Sequence, residues 1–198
     1  MGKKLISWLE KNIGELDAVV LDIDGVLMRS RKALPGSRDL LHLLRERNIP
    51  HTLLTNDGCS SVEEKSRALK TAGLDVLPSK ICSSGQVLLD LAKREGYEGK
   101  RFYVMGMLGR PSYADLAGLE TVRGVDGIDG CTGVVIGERE YSWEPAINAA
   151  INFFIKHPKA PLIVPNPDLY FPPGRTEAAP GLRRCGDVHS VRAQGAWD

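Results

Sequence analysis

The chain has 198 residues, 42% of them apolar and 26% charged, with a formal net charge of +1. That length fits one domain, or one domain with a sizeable insertion, and the composition is that of an ordinary globular protein. No Lys/Arg cluster dominates a stretch, so nucleic-acid binding has no electrostatic support, and no run reaches the roughly 18 apolar residues of a membrane span.

The first residues, Met1 to Lys11, carry Lys3, Lys4, Glu10 and Lys11 and hold neither an apolar h-region nor an A-x-A site. No secretory signal is expected from them. Gly2 lacks the Ser/Thr that myristoylation requires four residues later. The expected location is cytoplasmic. Cys59, Cys82, Cys131 and Cys185 form no C-x-x-C pair, which disfavours zinc. Small buried or half-buried thiols, reduced in a cytosol, are expected instead.

Along the chain, Ala18-Val19-Val20-Leu21 is a short apolar run that suits a buried strand. Leu34-Pro35-Gly36-Ser37 predicts a turn ending in a helix N-cap. Leu40, Leu41 and Leu44 give the helix its apolar face, and Asn48 stops it. His51 to Leu54 predicts a second strand, ending in Thr55-Asn56-Asp57-Gly58. Ser60 and Ser61 with Glu63 and Glu64 offer a capping box. The helix that follows runs to Ala72, with Gly73 as its C′ residue. Strand, helix, strand, helix is the order of a parallel α/β sheet with crossover helices.

A second α/β region follows. A helix is predicted over residues 86–94, a strand over 101–105, a short helix over 113–119 and a strand over 133–137. Ser142 is predicted to cap a long helix that buries Ile147, Ile151, Phe154 and Ile155. A last strand at Leu162-Ile163-Val164 closes on Pro165-Asn166-Pro167-Asp168. From Pro172 onward neither period persists.

The chemistry lies at the strand ends. Asp22-Ile23-Asp24-Gly25 places carboxylates at i and i+2, which lean to one side of a strand. Two such charges at close range call for a cation or a proton between them. One carboxylate could attack a phosphoryl group while the other moves protons. An Asp-rich turn that only caps the strand is the plain alternative; a calcium loop lacks its D-x-D-x-D-G spacing. Thr55 offers a hydroxyl, with the backbone N–H groups behind it running into a helix N-terminus, which suits a phosphate dianion. On its own this stretch reads first as an ordinary Thr/Asn turn. Its place on the sheet edge that carries Asp22, where open α/β sheets bind ligands, gives the phosphate reading its weight.

These residues resemble the haloacid dehalogenase superfamily of phosphohydrolases. Its DxDG motif after an apolar strand is matched by Asp22 to Gly25, and its second motif, a strand ending in Ser/Thr, by Thr55. Thr55-Asn56-Asp57 is similar to the T-N-N of subfamily IIA, which includes NagD-like and 4-nitrophenylphosphatase-like proteins. The short stretch Leu27 to Gly36 and the Asn166-Pro167-Asp168 element also resemble that subfamily. The resemblance spans roughly residues 15 to 175. It implies an incomplete Rossmann-like core in residues 1–84, an inserted α/β cap in 85–175 and an irregular tail in 176–198.

It further implies Asp22 as nucleophile and Mg²⁺ ligand, and Asp24 as general acid/base that reaches the metal through its backbone carbonyl. Gly25, Thr55, Asn56 and Asp57 would hold the phosphate. Asn166 and Asp168 would either face the site or only fix a cap turn. The substrate would be a small phosphomonoester of the sugar phosphate or nucleotide class; a homo-oligomer is compatible with the sequence. The family's later lysine is missing, since the last lysine is Lys159. Gly186-Asp187 starts an acidic motif that Arg192 does not complete. The expectation is therefore a chain that ends early, with one sheet edge exposed and weak or no activity. The alternative is a non-catalytic fragment that binds a phosphate ligand or a partner chain.

Overall fold

A computed structural model describes residues 2–139, 142–168, 170–171 and 179–180. They form two compact units. One comprises the residues up to Asn56 together with Ser60–Ser83; the other comprises Asp57–Cys59 together with the described residues from Ser84 onward.

Unit 1 begins with α1 (Gly2–Asn12), whose Leu9 is buried beside Ile13. Strand β1 (Val19–Asp22) leads to a tight hairpin of β2 (Met28–Arg29) and β3 (Lys32–Ala33), which turns on Ser30 and Arg31 at positive φ. Then come α2 (Ser37–Glu46), β4 (His51–Thr55), α3 (Val62–Thr71) and β5 (Ile81–Ser83). The three longer strands form a parallel sheet in the order β1-β4-β5, with Asp22 level with Leu54 and Thr55 level with Ser83. Leu53 and Ile81 enter a core with Leu27, Leu41, Leu44, Leu69 and Leu74. On the other face, Val20 is 62% and Leu54 49% exposed. Parallel sheets ordinarily cover both faces. Among the described residues β1 pairs only with β4, so its outer edge has no described strand beside it.

Unit 2 contains α4 (Val87–Glu95), β6 (Arg101–Met105), α5 (Tyr113–Leu116), β7 (Glu120–Val122), β8 (Gly133–Ile136), α6 (Trp143–Lys156) and β9 (Leu162–Ile163). Its sheet is parallel, in the order β7-β6-β8-β9. Strand β8 is buried throughout and β6 is buried from Phe102 onward, as in a sheet covered on both faces. Phe102 and Val104 enter one core with Leu88 and Tyr113; Tyr103 and Met105 enter another with Val134, Ile136 and Phe153. A two-residue antiparallel pair joins β10 (Tyr170–Phe171) to β11 (Ala179–Pro180).

Several expectations are corrected. Helix α6 buries Ala146, Ala150 and Phe153, while Ile151 is 41% and Ile155 73% exposed. Ile147 and Phe154 of the expected face are half-buried against the same core. Ser37 is not the N-cap of α2: Gly36 is, at φ 89°, and the Ser37 hydroxyl donates to the Leu27 carbonyl at 2.8 Å. Ser142 precedes α6 as expected, but its side chain makes no capping bond. Cys82 is exposed rather than buried, because it alternates with Ile81 and Ser83 on the open face of its sheet. Strands β5 and β7, not foreseen, are three residues long each; helix α1, also not foreseen, spans eleven residues and turns Ile6 and Leu9 to the core. Ala179–Pro180 pairs within the stretch expected to be irregular, since a two-residue ladder needs backbone groups rather than a side-chain pattern. Asp187 lies outside the described residues.

Candidate active site

Asp22 is the last residue of β1, and Thr55 is the last residue of β4 beside it. Neighbouring strands lie about 4.8 Å apart, so the chain brings these two side chains to the same end of one parallel sheet. That edge is where open α/β sheets take ligands. Asp22 and Asp24 are both exposed, and Ile23 between them is 4% exposed. The strand-like alternation thus continues past β1 and sends both carboxylates to the outside. The Asp22 carboxylate accepts the Ile23 N–H at 2.8 Å, which ties the side chain to its own backbone.

The turn beyond is closed by backbone bonds. Gly25 donates to Met28 at 2.7 Å, and Leu27 and Met28 both donate to Ile23 at 3.0 and 2.9 Å. Gly25 sits at φ 87° with open space where a Cβ would be, so its conformation, not crowding, requires glycine. The Ser37 hydroxyl bond to Leu27 anchors the same turn to α2.

Thr55 is 3% exposed. Behind it the chain does not pass straight into α3, because residues 56–61 intervene. Ser61 caps α3 in a reciprocal box: its hydroxyl accepts from Glu64 N–H at 3.2 Å, and the Glu64 carboxylate accepts from Ser61 N–H at 2.8 Å. Lys65, also buried, donates to the Ser60 carbonyl. The structure thus gathers Asp22, Asp24, Gly25, Thr55 and Asn56 in unit 1, whereas Asp57, Asn166 and Asp168 belong to unit 2.

In unit 2 a cluster appears that the sequence reading missed. The ligating atoms of Asp57, Cys59 and Glu138 all lie within 4.8 Å of one another, and this is the one such group among the described residues. Its members are engaged with hydrogen-bond donors. Asp57 accepts the Cys59 N–H at 2.8 Å. Glu138 accepts from Asn166 Nδ2 at 2.9 Å and from the Gly58 N–H. Asn166 also accepts the Asp168 N–H at 3.0 Å, so it fixes the turn of its own element. Burial raises the Glu138 pKa above its ordinary value, and the Asp57 charge adds to the rise; Asn166, Arg139 and the Gly58 N–H oppose it. No sequence signal marks Glu138, whose partners are distant along the chain.

A groove of about 530 Å³ lined by Arg31, Lys32, Pro35, Arg38, Asp39 and Thr71 includes none of the predicted site residues. No helix among the described residues is long and apolar enough to cross a membrane.

Residues 19–120, more than half of the chain, match the sequence pattern of haloacid dehalogenase-like hydrolases. The chain belongs to that family. It is 33% identical over 153 residues to ribonucleotide monophosphatase NagD of Escherichia coli, covering 77% of this chain and 57% of that one. It is 34% identical over 152 residues to dihydroxyacetone phosphatase of Corynebacterium glutamicum, covering 76% and 52%. The solved structure of Escherichia coli NagD superposes with a TM-score of 0.70 at 28% identity, over 89% of this chain and 66% of that one. Glycerol phosphate phosphatase of Mycobacterium tuberculosis, solved in complex with magnesium, gives 0.74 at 22% identity, over 91% and 52%. At that identity it shows the fold alone. The α/β class and the NagD-like resemblance are thereby borne out. This haloacid dehalogenase-like chain spans 52% to 57% of the length of those curated relatives.

Proposed function

We propose that the chain carries a phosphomonoester hydrolase site, with Asp22 as nucleophile and Asp24 as general acid and base. Gly25, Thr55, Asn56 and the Asp57 backbone seat the phosphate. Unit 2 acts as the cap that selects the substrate, a small phosphorylated compound of the sugar phosphate or nucleotide class. The observation that carries the reading is that Asp22 and Thr55 end two adjacent parallel strands at the same edge of one sheet, with the exposed Asp24 two residues beyond Asp22. The kinship with phosphatases supports it.

The chemistry follows from these groups. An Asp22 carboxylate oxygen bonds to phosphorus as the ester P–O bond breaks, and protonated Asp24 gives its proton to the leaving oxygen. Asp24 then takes a proton from water. That water's oxygen attacks the phosphorus, phosphate leaves, and Asp22 is restored. The donor set fits Mg²⁺: the exposed Asp22 carboxylate and the Asp24 backbone carbonyl would offer hard oxygen ligands to an ion that keeps several waters, which leaves the Asp24 carboxyl for proton transfer. When bound, Mg²⁺ screens the charge between nucleophile and phosphate.

The test is hydrolysis of 4-nitrophenyl phosphate with Mg²⁺, comparing the parent with Asp22→Asn. The reading expects turnover in the parent and background in the variant. Equal rates in the two would remove Asp22 as nucleophile. Calorimetric binding of inorganic phosphate without turnover in either would favour a phosphate-binding protein without catalysis.

A further inference from the structure

Asp57–Cys59 are built into unit 2, which fastens them at several points. The Cys59 N–H closes onto the Asp57 carboxylate. The Cys59 carbonyl accepts from the Gly109 N–H at 3.1 Å. Gly58 lies against Pro165 and Ser84, where a Cβ would meet both at 3.4 Å, and its N–H donates to the Glu138 carboxylate.

Glu138 is itself rigidly placed. Its backbone exchanges two hydrogen bonds with Met107, of 2.7 and 3.0 Å. The preceding Gly137 leaves no room for a side chain, since a Cβ there would meet the Met107 carbonyl oxygen at 2.2 Å. Asn166 Nδ2 then fixes the carboxylate's direction. A half-buried carboxylate beside Asp57 and Cys59, with Arg139 as the neighbouring cation, is held against its own desolvation. Local costs of this kind concentrate at functional sites.

We propose that Glu138, oriented by Asn166, is a positioning residue for Asp57–Cys59, whose Asp57 backbone is part of the phosphate seat, gripping that turn through the Gly58 N–H. This rests on the reading of that turn as the phosphate seat. Neither residue touches the substrate; each acts by limiting the conformations of the turn.

The test uses the full 198-residue chain. Hydrogen–deuterium exchange of the peptide spanning residues 55–59 and calorimetric binding of inorganic phosphate with Mg²⁺ are measured for Glu138→Ala, Asn166→Ala, Glu138→Gln and Thr55→Val. Loss of a bond to a charged acceptor predicts exchange at Gly58 at least about tenfold faster, and phosphate binding about tenfold weaker, in Glu138→Ala. Asn166→Ala shifts both in the same direction. Glu138→Gln, whose amide oxygen still accepts, recovers most of both. A brace with only a structural role would lower the melting temperature and leave phosphate affinity unchanged, and that outcome overturns the proposal. Unchanged exchange in Glu138→Ala overturns it too. If Thr55→Val leaves phosphate binding intact, the phosphate seat fails, and the proposal fails with it. If Thr55→Val abolishes binding while Glu138→Ala does not alter it, the seat stands and the positioning role alone is refuted.

Discussion

Truncating Phe153 to alanine tests which face of α6 is the buried one. Phe153 is 1% exposed, and its ring lies 5.3 Å from Phe154 and 4.8 Å from His157, centre to centre. Withdrawing a side chain of that size from water contributes roughly 1.5–3 kcal/mol. The cavity left behind and the lost ring contacts bring the expected cost of Phe153→Ala to about 3–5 kcal/mol. Ile155, two residues on, is 73% exposed. Its truncation should cost no more than about 0.5 kcal/mol, and alanine's better helix propensity offsets part of that. Because the chain forms two units, one global unfolding transition would not isolate the effect. Native-state hydrogen exchange at the α6 amides reads the opening free energy of that helix directly. A larger loss for Ile155→Ala than for Phe153→Ala would refute the observed register and restore the face expected from the isoleucines.

Three further outcomes are expected. Ser61→Ala removes the hydroxyl from a reciprocal capping box and should cost about 1 kcal/mol, read by native-state hydrogen exchange at the α3 amides; no change would mean the box contributes nothing. Glu138 has a folded-state pKa raised above its ordinary 4.5, so the folded state binds the extra proton. The stability of the parent relative to Glu138→Gln should therefore be most favourable below about pH 4.5 and fall as pH rises through the raised value. A pH-independent difference, measured by native-state hydrogen exchange of the unit 2 amides across that window, would contradict the shift. Cys82 is exposed and Cys59 buried, while burial holds the Cys131 thiol above its ordinary pKa. Iodoacetamide should label Cys82 before Cys59 and Cys131, as read by peptide mass spectrometry; faster labelling of Cys59 would contradict the burial.

Much of the site's frame was legible in the sequence because it sits where apolar runs stop. Val19-Val20-Leu21 before Asp22, and Leu53-Leu54 before Thr55, mark strand ends by contrast alone. The same contrast located β6 and β8, whose continuous apolar runs are the mark of strands covered on both faces. The face of α6 was misjudged because hydropathy ranks isoleucine above alanine, whereas the buried face carries Ala146 and Ala150 beside Phe153. Strand β5 is only three residues long, and its burial alternates with one exposed cysteine, so it carried too little pattern to be recognised. Glu138 was illegible for a different reason. Its role depends on the Gly58 N–H and on Asn166, which folding alone brings to it. Asn166 itself was visible as part of a Pro-flanked turn, and its two hydrogen bonds show why that turn is fixed.

The central claim is that Asp22 attacks phosphorus, and the most direct measurement is to trap the covalent step. The protein is mixed with 4-nitrophenyl phosphate and Mg²⁺, quenched in acid and digested, and the peptides are read by mass spectrometry. The account predicts a phosphoryl group on the peptide containing Asp22 and none in Asp22→Asn. Steady release of phosphate with that peptide unmodified, or with the phosphoryl group on a different residue, would contradict it.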